Sequence, residues 1–241
     1  MNSHQLISFA HADELARHAA GLWLDEIEAA RRAGQNHCVA LSGGRIARKF
    51  FAAAAAQARE RAARLDHVHF FWADERCVPP DDPESNFKLA NDLLFTPLKI
   101  PEIQIHRLRG EEPPEIAVKM AEAELRRWVP ADQNQLPALD LILLGMGEDG
   151  HVASLFPQAP PEVLNCAAPF LAVDHSPKPP SRRISLSYAA LTAARRVWVL
   201  VSGPGKESAL RASLSPAGRT PLARVLQSRH CTKIFCDILK F

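Results

Sequence analysis

The sequence predicts an α/β protein: a single domain over residues 1–241 with a doubly wound, mostly parallel sheet and helices on both faces, a Rossmann-like arrangement. Three observations predict it. Short, near-continuous apolar runs recur along the whole chain, as strands buried on both faces require. Segments with helical spacing of apolar residues alternate with them. Several of the runs end in glycines or charged residues, and open parallel sheets hold their ligands just outside the carboxyl ends of the strands. No internal repeat is visible, and no linker separates two self-sufficient cores.

The elements follow in order. Residues 13–33 place Leu15, Ala19, Leu22, Trp23, Ile27 and Ala30 on one helical face, with Asp13 as N-cap and Gly34 as the stop. Residues 38–42 read as a strand ending in Gly43 and Gly44, and an Ala- and Arg-rich helix follows over about 46–65. Residues 68–72 are a second strand, leading into Asp74, Glu75 and Arg76. Prolines 79, 80 and 83 force an extended loop. Ser85 caps a helix through Leu94, and Pro113 or Pro114 opens another to Trp128. The third clear strand is 139–144, followed by a strand at 170–173, a proline loop at 177–180 and a half-exposed alternating strand at 183–187. A buried strand at 197–201, a helix after Gly203 carrying Lys206 and a last strand at 233–237 complete the pattern.

Composition narrows the function. Apolar residues make up 47% of the chain and charged residues 23%, ordinary for a protein with a packed core. Net charge is only +2, yet residues 175–233 hold eleven Lys or Arg and one acid, Glu207. Such a basic half suits an anionic partner. No basic cluster interleaved with aromatics occurs, so a small phosphorylated substrate is expected and nucleic acid is not. The five cysteines show neither CxxC pairs nor zinc-ligand spacing, which fits a reducing cytoplasm and argues against a metal site. The first residues lack a basic segment followed by an apolar core, and no apolar stretch reaches the ~20 residues of a membrane span. The expectation is a cytoplasmic protein away from membranes, a monomer or weak homo-oligomer.

Three motifs carry chemistry. Gly43, Gly44 and Arg45 join a strand to a helix, so backbone N–H groups, the helix N-terminus and a guanidinium can meet a phosphate. The bland alternative is a tight turn, and the loop is neither a Walker loop nor a GxGxxG loop. Asp74-Glu75-Arg76 is either a solvated charge cluster or a site element, with Arg76 meeting a phosphate or a developing oxyanion and Asp74 orienting a base or holding hydroxyls. Asp149-Gly150-His151 is the sharpest signal: His151 titrates near neutral pH and suits a general base, and Asp149 fixes its tautomer or holds a substrate hydroxyl. Lys206, after a buried strand, reads as a phosphate ligand. Arg182 and Arg183 compete for a similar role, and His67, His69 and His106 read as structural or surface residues.

In order along the chain, Leu41-Ser42-Gly43-Gly44, Asp74-Glu75-Arg76 with Val78-Pro79 and Ser85-Asn86, Leu144-Gly145-Met146-Gly147 through Asp149-Gly150-His151 to Pro157, Arg183-Ile184-Ser185-Leu186, and Gly203 through Lys206 resemble the 6-phosphogluconolactonase family, within the glucosamine-6-phosphate isomerase/deaminase superfamily. The resemblance implies the fold of that superfamily and hydrolysis of 6-phospho-D-glucono-1,5-lactone to 6-phosphogluconate, the second step of the oxidative pentose phosphate pathway. It implies no metal and no cofactor. His151 would deprotonate water, Arg76 would sit near the substrate's charge, and Gly43, Gly44, Arg45, Arg183 and Lys206 would hold the phosphate. The deaminase/isomerase branch typically keeps a Glu in an Asn-Glu-Pro ending after the His and a Tyr in place of Arg76. Here the ending is Leu155-Phe156-Pro157. The family's usual Gly-Gly-Ser-Thr-Pro is also replaced by Gly43-Gly44-Arg45-Ile46-Ala47, so Arg45 stands where hydroxyls usually meet the phosphate. The alternatives are a deaminase/isomerase-like enzyme and a non-catalytic sugar-phosphate sensor.

Overall fold

A computed structural model describes residues 3–238. Its main sheet has six strands: β1 (Ser3–Ser8), β2 (His37–Leu41), β3 (Val68–Trp72), and β5 (Leu141–Gly145), β8 (Val197–Val201) and β9 (Cys231–Cys236) further along the chain. They lie in the order β1-β9-β8-β5-β2-β3, and every pair is parallel. The apolar runs predict this, since side chains on both faces of β2, β3 and β8 are buried. From β2 the winding goes outward to β3. From β5 it goes the other way, through β8 and β9 to β1. The β2/β5 boundary is therefore the point where strand order reverses, and the crevice there is the ordinary ligand position of such sheets.

Helices flank the sheet. In α1 (Ala12–Arg32), Leu15, Ala16, Ala19, Ala20, Trp23, Leu24 and Ile27 form the buried stripe. It packs on α2 (Arg45–Glu60), where Trp23 meets Phe50 at 5.6 Å between ring centroids and reaches Phe70 of β3 at 6.3 Å. The indole N–H of Trp23 donates to Nε2 of buried His37 (3.3 Å), so the polar edge of the largest core side chain is satisfied. Burial holds the His37 imidazole down to about 4, which keeps it a neutral acceptor.

Two helix boundaries differ from the sequence reading. α1 begins at Ala12 with His11 in the cap position, and Asp13 lies in the first turn, where its carboxylate meets Lys49 Nζ at 2.5 Å. α2 stops at Glu60 rather than near Leu65, because Ala62 turns left-handed (φ +48°). The amide of Ala63 then donates to the carbonyl of Ala58 and that of Ala62 to Arg59, the paired bonds that close a helix end. The helix capped by Ser85 runs as α3 (Asn86–Ala90), a widened turn over Asn91–Phe95 and α4 (Thr96–Leu98), and α5 spans Pro114–Trp128.

The larger correction concerns the strands expected at 170–173 and 183–187. β4 (Asp74–Arg76), β6 (Phe170–Val173) and β7 (Arg183–Leu186) form a separate antiparallel sheet, ordered β4-β7-β6. Ala73 links the two sheets: its amide donates to the Leu41 carbonyl (2.7 Å) and its carbonyl accepts from the Leu186 amide (2.7 Å). Asp74-Glu75-Arg76 thus leaves the tip of β3 already paired as a strand, with Arg76 opposite Arg183. β7 is buried throughout rather than half-exposed. Its polar residues face the chain after His151, where the Ser154 amide donates to Ser185 Oγ (3.2 Å) and the Arg183 guanidinium lies over Phe156.

Between these elements α6 (Pro161–Leu164) is a single turn. Lys206 takes the cap position of α8 (Glu207–Leu214) rather than a place within it. β1, α7 (Tyr188–Ala193) and α9 (Pro221–Ser228) are further elements, outside those the sequence predicts. Hydroxyl caps start both of these helices, Ser187 accepting from the Ala190 amide and Thr220 from the Ala223 amide. Nearly all the buried apolar side chains among the described residues form one contiguous cluster. No helix among the described residues is long and apolar enough to cross a membrane.

Candidate active site

The chain leaving β2 and the chain leaving β5 meet at the reversal point: a Cβ on Gly145 would lie 3.8 Å from the Gly43 carbonyl oxygen. Around this meeting lies a small open cleft of about 130 Å³. Of the residues singled out in the sequence, Gly43, Gly44, Arg45, Asp74, Arg76, His151, Arg183 and Lys206 all line it. They come from five separate stretches of chain, so their meeting follows from topology and not from local sequence. A larger cavity of about 540 Å³ lies elsewhere, between Phe71, Phe87, His106, Glu124 and Phe170, and gathers none of these residues. His106 of that cavity is buried and bonded to buried His69 (2.9 Å), and its Nδ1 meets Glu124 (2.8 Å).

Asp149 lies just behind the cleft wall. Its Oδ1 sits 2.5 Å from His151 Nδ1 and also accepts the His151 backbone N–H (3.2 Å). Gly147 makes this possible, since a Cβ there would come within 2.0 Å of the imidazole. With Nδ1 committed to the carboxylate, Nε2 is the ring nitrogen that carries no hydrogen bond to another described residue. Burial lowers the His151 pKa below its ordinary value and Asp149 partly opposes this, so the ring is neutral at pH 7. Burial pushes the Asp149 carboxyl up, but its contacts with His151 outweigh that and hold it below the usual carboxylate value.

The other groups divide by position. Asp74 is buried and accepts the Ser154 hydroxyl (2.8 Å), tying β4 to the stretch after His151. The Arg76 guanidinium donates to the Glu84 carbonyl, while its Nε is buried without a hydrogen-bond partner. Arg45 and Lys206 stand close enough for Arg45 to depress the Lys206 pKa, which burial lowers first. Arg183 lines the cleft with its guanidinium held by the carbonyls of Lys178, Pro179 and Pro180, whereas Arg182 points away to Asp174 (3.5 Å). Arg183 is therefore the one of the two in the site. Phe156 packs on the His151 ring (4.8 Å between centroids) and under Arg183.

Ser42, Asn86 and Met146 are among the cleft residues not singled out by their chemistry. Ser42 Oγ is buried without a partner, Asn86 donates through Nδ2 to the Asp74 carbonyl (2.9 Å), and Met146 supplies an apolar wall. Ser42 and Asn86 sit inside quoted motifs, but nothing local marks their side chains as facing a ligand. Most of the basic residues between 175 and 233 are used elsewhere. Arg195 pairs with Asp140, Arg196 with Glu26 and Arg211 with Glu207, and Arg229 donates to the Leu191 and Thr192 carbonyls. Among the described residues, no three His, Cys, Asp or Glu side chains gather as metal ligands would.

The arrangement has relatives. Residues 10–235 match the family described as glucosamine-6-phosphate isomerases/6-phosphogluconolactonase. The 6-phosphogluconolactonase of Mycobacterium tuberculosis is 38% identical over 213 residues, covering 87% of this chain and 85% of that protein. The 6-phosphogluconolactonase of Streptomyces coelicolor is 33% identical over 220 residues, covering 89% and 84%. Among solved structures, the devB protein superimposes with a TM-score of 0.86 at 32% identity, covering 97% of this chain and 96% of its own.

Proposed function

The chain belongs to the glucosamine-6-phosphate isomerase/6-phosphogluconolactonase family, and from that premise we propose that it hydrolyses 6-phospho-D-glucono-1,5-lactone to 6-phosphogluconate with His151 as general base. One observation carries the reading: a neutral imidazole, held at Nδ1 by Asp149, lines a cleft whose other side is basic. Nε2 takes a proton from water as the water oxygen bonds to the lactone carbonyl carbon. Negative charge moves onto the carbonyl oxygen, within reach of the donors on Arg76. When the tetrahedral centre collapses, the ring C–O bond breaks and the ring oxygen leaves as a hydroxyl, taking the proton back from His151. Arg45, Lys206, Arg183 and the amides at Gly43 and Gly44 hold the phosphate.

The deaminase/isomerase alternative is weaker here, because Phe156 fills the space beside His151 and the stretch 152–157 carries no carboxylate. A sensor would not need His151 held by Asp149. The buried core and the cleft share one continuous six-stranded sheet, which supports a single lactonase domain, and we take it to act as a monomer or weak homo-oligomer. The five cysteines form no disulfide, in keeping with a reducing cytoplasm. The many cations taken up in internal pairs support the absence of a nucleic-acid partner.

The deciding experiment compares purified protein on the lactone, with spontaneous hydrolysis subtracted, and on glucosamine 6-phosphate. Rapid turnover of the first and none of the second is expected, and the reverse would overturn the reading. Arg45→Ala addresses the phosphate half. Its side chain is 72% exposed and comes no nearer to Glu148 than 3.9 Å, so it is free to meet a ligand. KM is expected to rise about three- to tenfold with kcat little changed, as for an interaction made equally in ground and transition states. An unchanged KM would return Arg45 to an ordinary surface charge.

A further inference from the structure

Glu75 lies between Asp74 and Arg76, does not line the cleft, and takes no part in the mechanism above. It is 2% exposed, and both its oxygens are fully engaged. Oε1 accepts the backbone N–H groups of Arg76 (2.7 Å) and Asn86 (2.8 Å), and Oε2 accepts that of Phe87 (2.7 Å) and the Ser85 hydroxyl (3.2 Å). Four donors converge on one carboxylate from two segments ten residues apart. Both segments end in cleft residues. Asn86 lies so close to Gly43 that a Cβ there would fall 1.8 Å from its Oδ1, and its Nδ2 is fixed on the Asp74 carbonyl. Arg76 lines the same cleft, with its Nε buried and without a hydrogen-bond partner.

We propose that Glu75 is a positioning residue for substrate binding: its carboxylate locks the turn at residues 84–87 to β4, and so sets Asn86 against the glycine loop and Arg76 against the substrate. Burial pushes the Glu75 carboxyl up to about 7 against the pull of its donors, so keeping it ionised opposes folding above the ordinary carboxylate range. A buried charge that costs stability and organises two substrate-facing segments is explained by what it positions.

The inference rests on the lactonase reading for its substrate, so its test also includes a binding measurement. Glu75→Gln preserves shape but offers only one carbonyl oxygen where two oxygens accept now, leaving backbone N–H groups of the turn opposed by the amide. KM for the lactone is expected to rise about tenfold, kcat to change less than about threefold, and the Kd for 6-phosphogluconate to rise in parallel with KM. Tm at pH 8 is expected to stay within about 5 °C of the parent. Combined with Asn86→Ala, the effects on KM should fall well short of additive, because both changes free the same turn. Ser85→Ala, which removes one of the four donors, should raise KM about twofold and carries the test if Glu75→Gln fails to fold. Unchanged KM and Kd in a folded variant, a kcat loss with KM unchanged, or full additivity with Asn86→Ala would each overturn the proposal. A wild-type protein inert on the lactone would instead sink the lactonase reading, while a weakened Kd in Glu75→Gln would still uphold Glu75.

Discussion

His151→Ala is expected to lower kcat for the lactone by about 10²–10⁴-fold, the usual worth of a positioned general base, or about 3–5 kcal/mol of transition-state stabilisation. Affinity for 6-phosphogluconate is expected to stay within about threefold, because the basic groups proposed to hold the phosphate are other residues of the cleft. The wild-type pH profile should agree. A base must be neutral to accept a proton, so kcat/KM is lost as pH falls through the His151 pKa. Burial sets that value below the ordinary one, which puts the acid limb below about pH 6.5 and leaves full activity at neutrality. The limb should vanish with the imidazole. Turnover undiminished in the variant, measured over the spontaneous rate, would sink the assignment of His151.

What was legible in the sequence follows from the range of the interactions involved. β2, β3, β5 and β8 are buried on both faces, and unbroken apolar runs announce that without tertiary context. The second sheet was not legible, because β7 alternates apolar and polar residues as a solvent-facing strand does. Its polar side chains are covered by the stretch after His151, with Ser185 taking the Ser154 amide and Arg183 lying on Phe156. No local signal reports a cover supplied from thirty residues away. β1 went unread because an edge strand with intermediate and exposed positions lacks an apolar run. The site divides the same way. Glycine loops and Asp149-Gly150-His151 are marked by chemistry at close spacing. The choice of Arg183 over Arg182 and the hub at Glu75 depend on strand register and on which side of β4 the turn at 84–87 packs, and both are set by long-range pairing.

Asp149→Asn tests the remaining half of the base. In the parent, the carboxylate can only accept, so the imidazole must place its proton on Nδ1 and its lone pair on Nε2. Asn offers either a carbonyl oxygen or an NH₂ group. With the NH₂ toward Nδ1 the tautomer reverses, Nε2 carries the proton, and no base faces the cleft. With the oxygen toward Nδ1 the tautomer survives, but the charge that stabilises the imidazolium formed on proton transfer is gone. Either way kcat is expected to fall about 10²–10⁴-fold, as for a base that loses its orienting carboxylate, with KM little changed. A second sign separates this from loss of structure. Asp149 raises the His151 pKa against the effect of burial, so removing its charge should move any residual acid limb to still lower pH. A variant that keeps kcat within about threefold of the parent would show that His151 needs no partner, and Asp149 would then be a hydroxyl ligand or a turn residue instead.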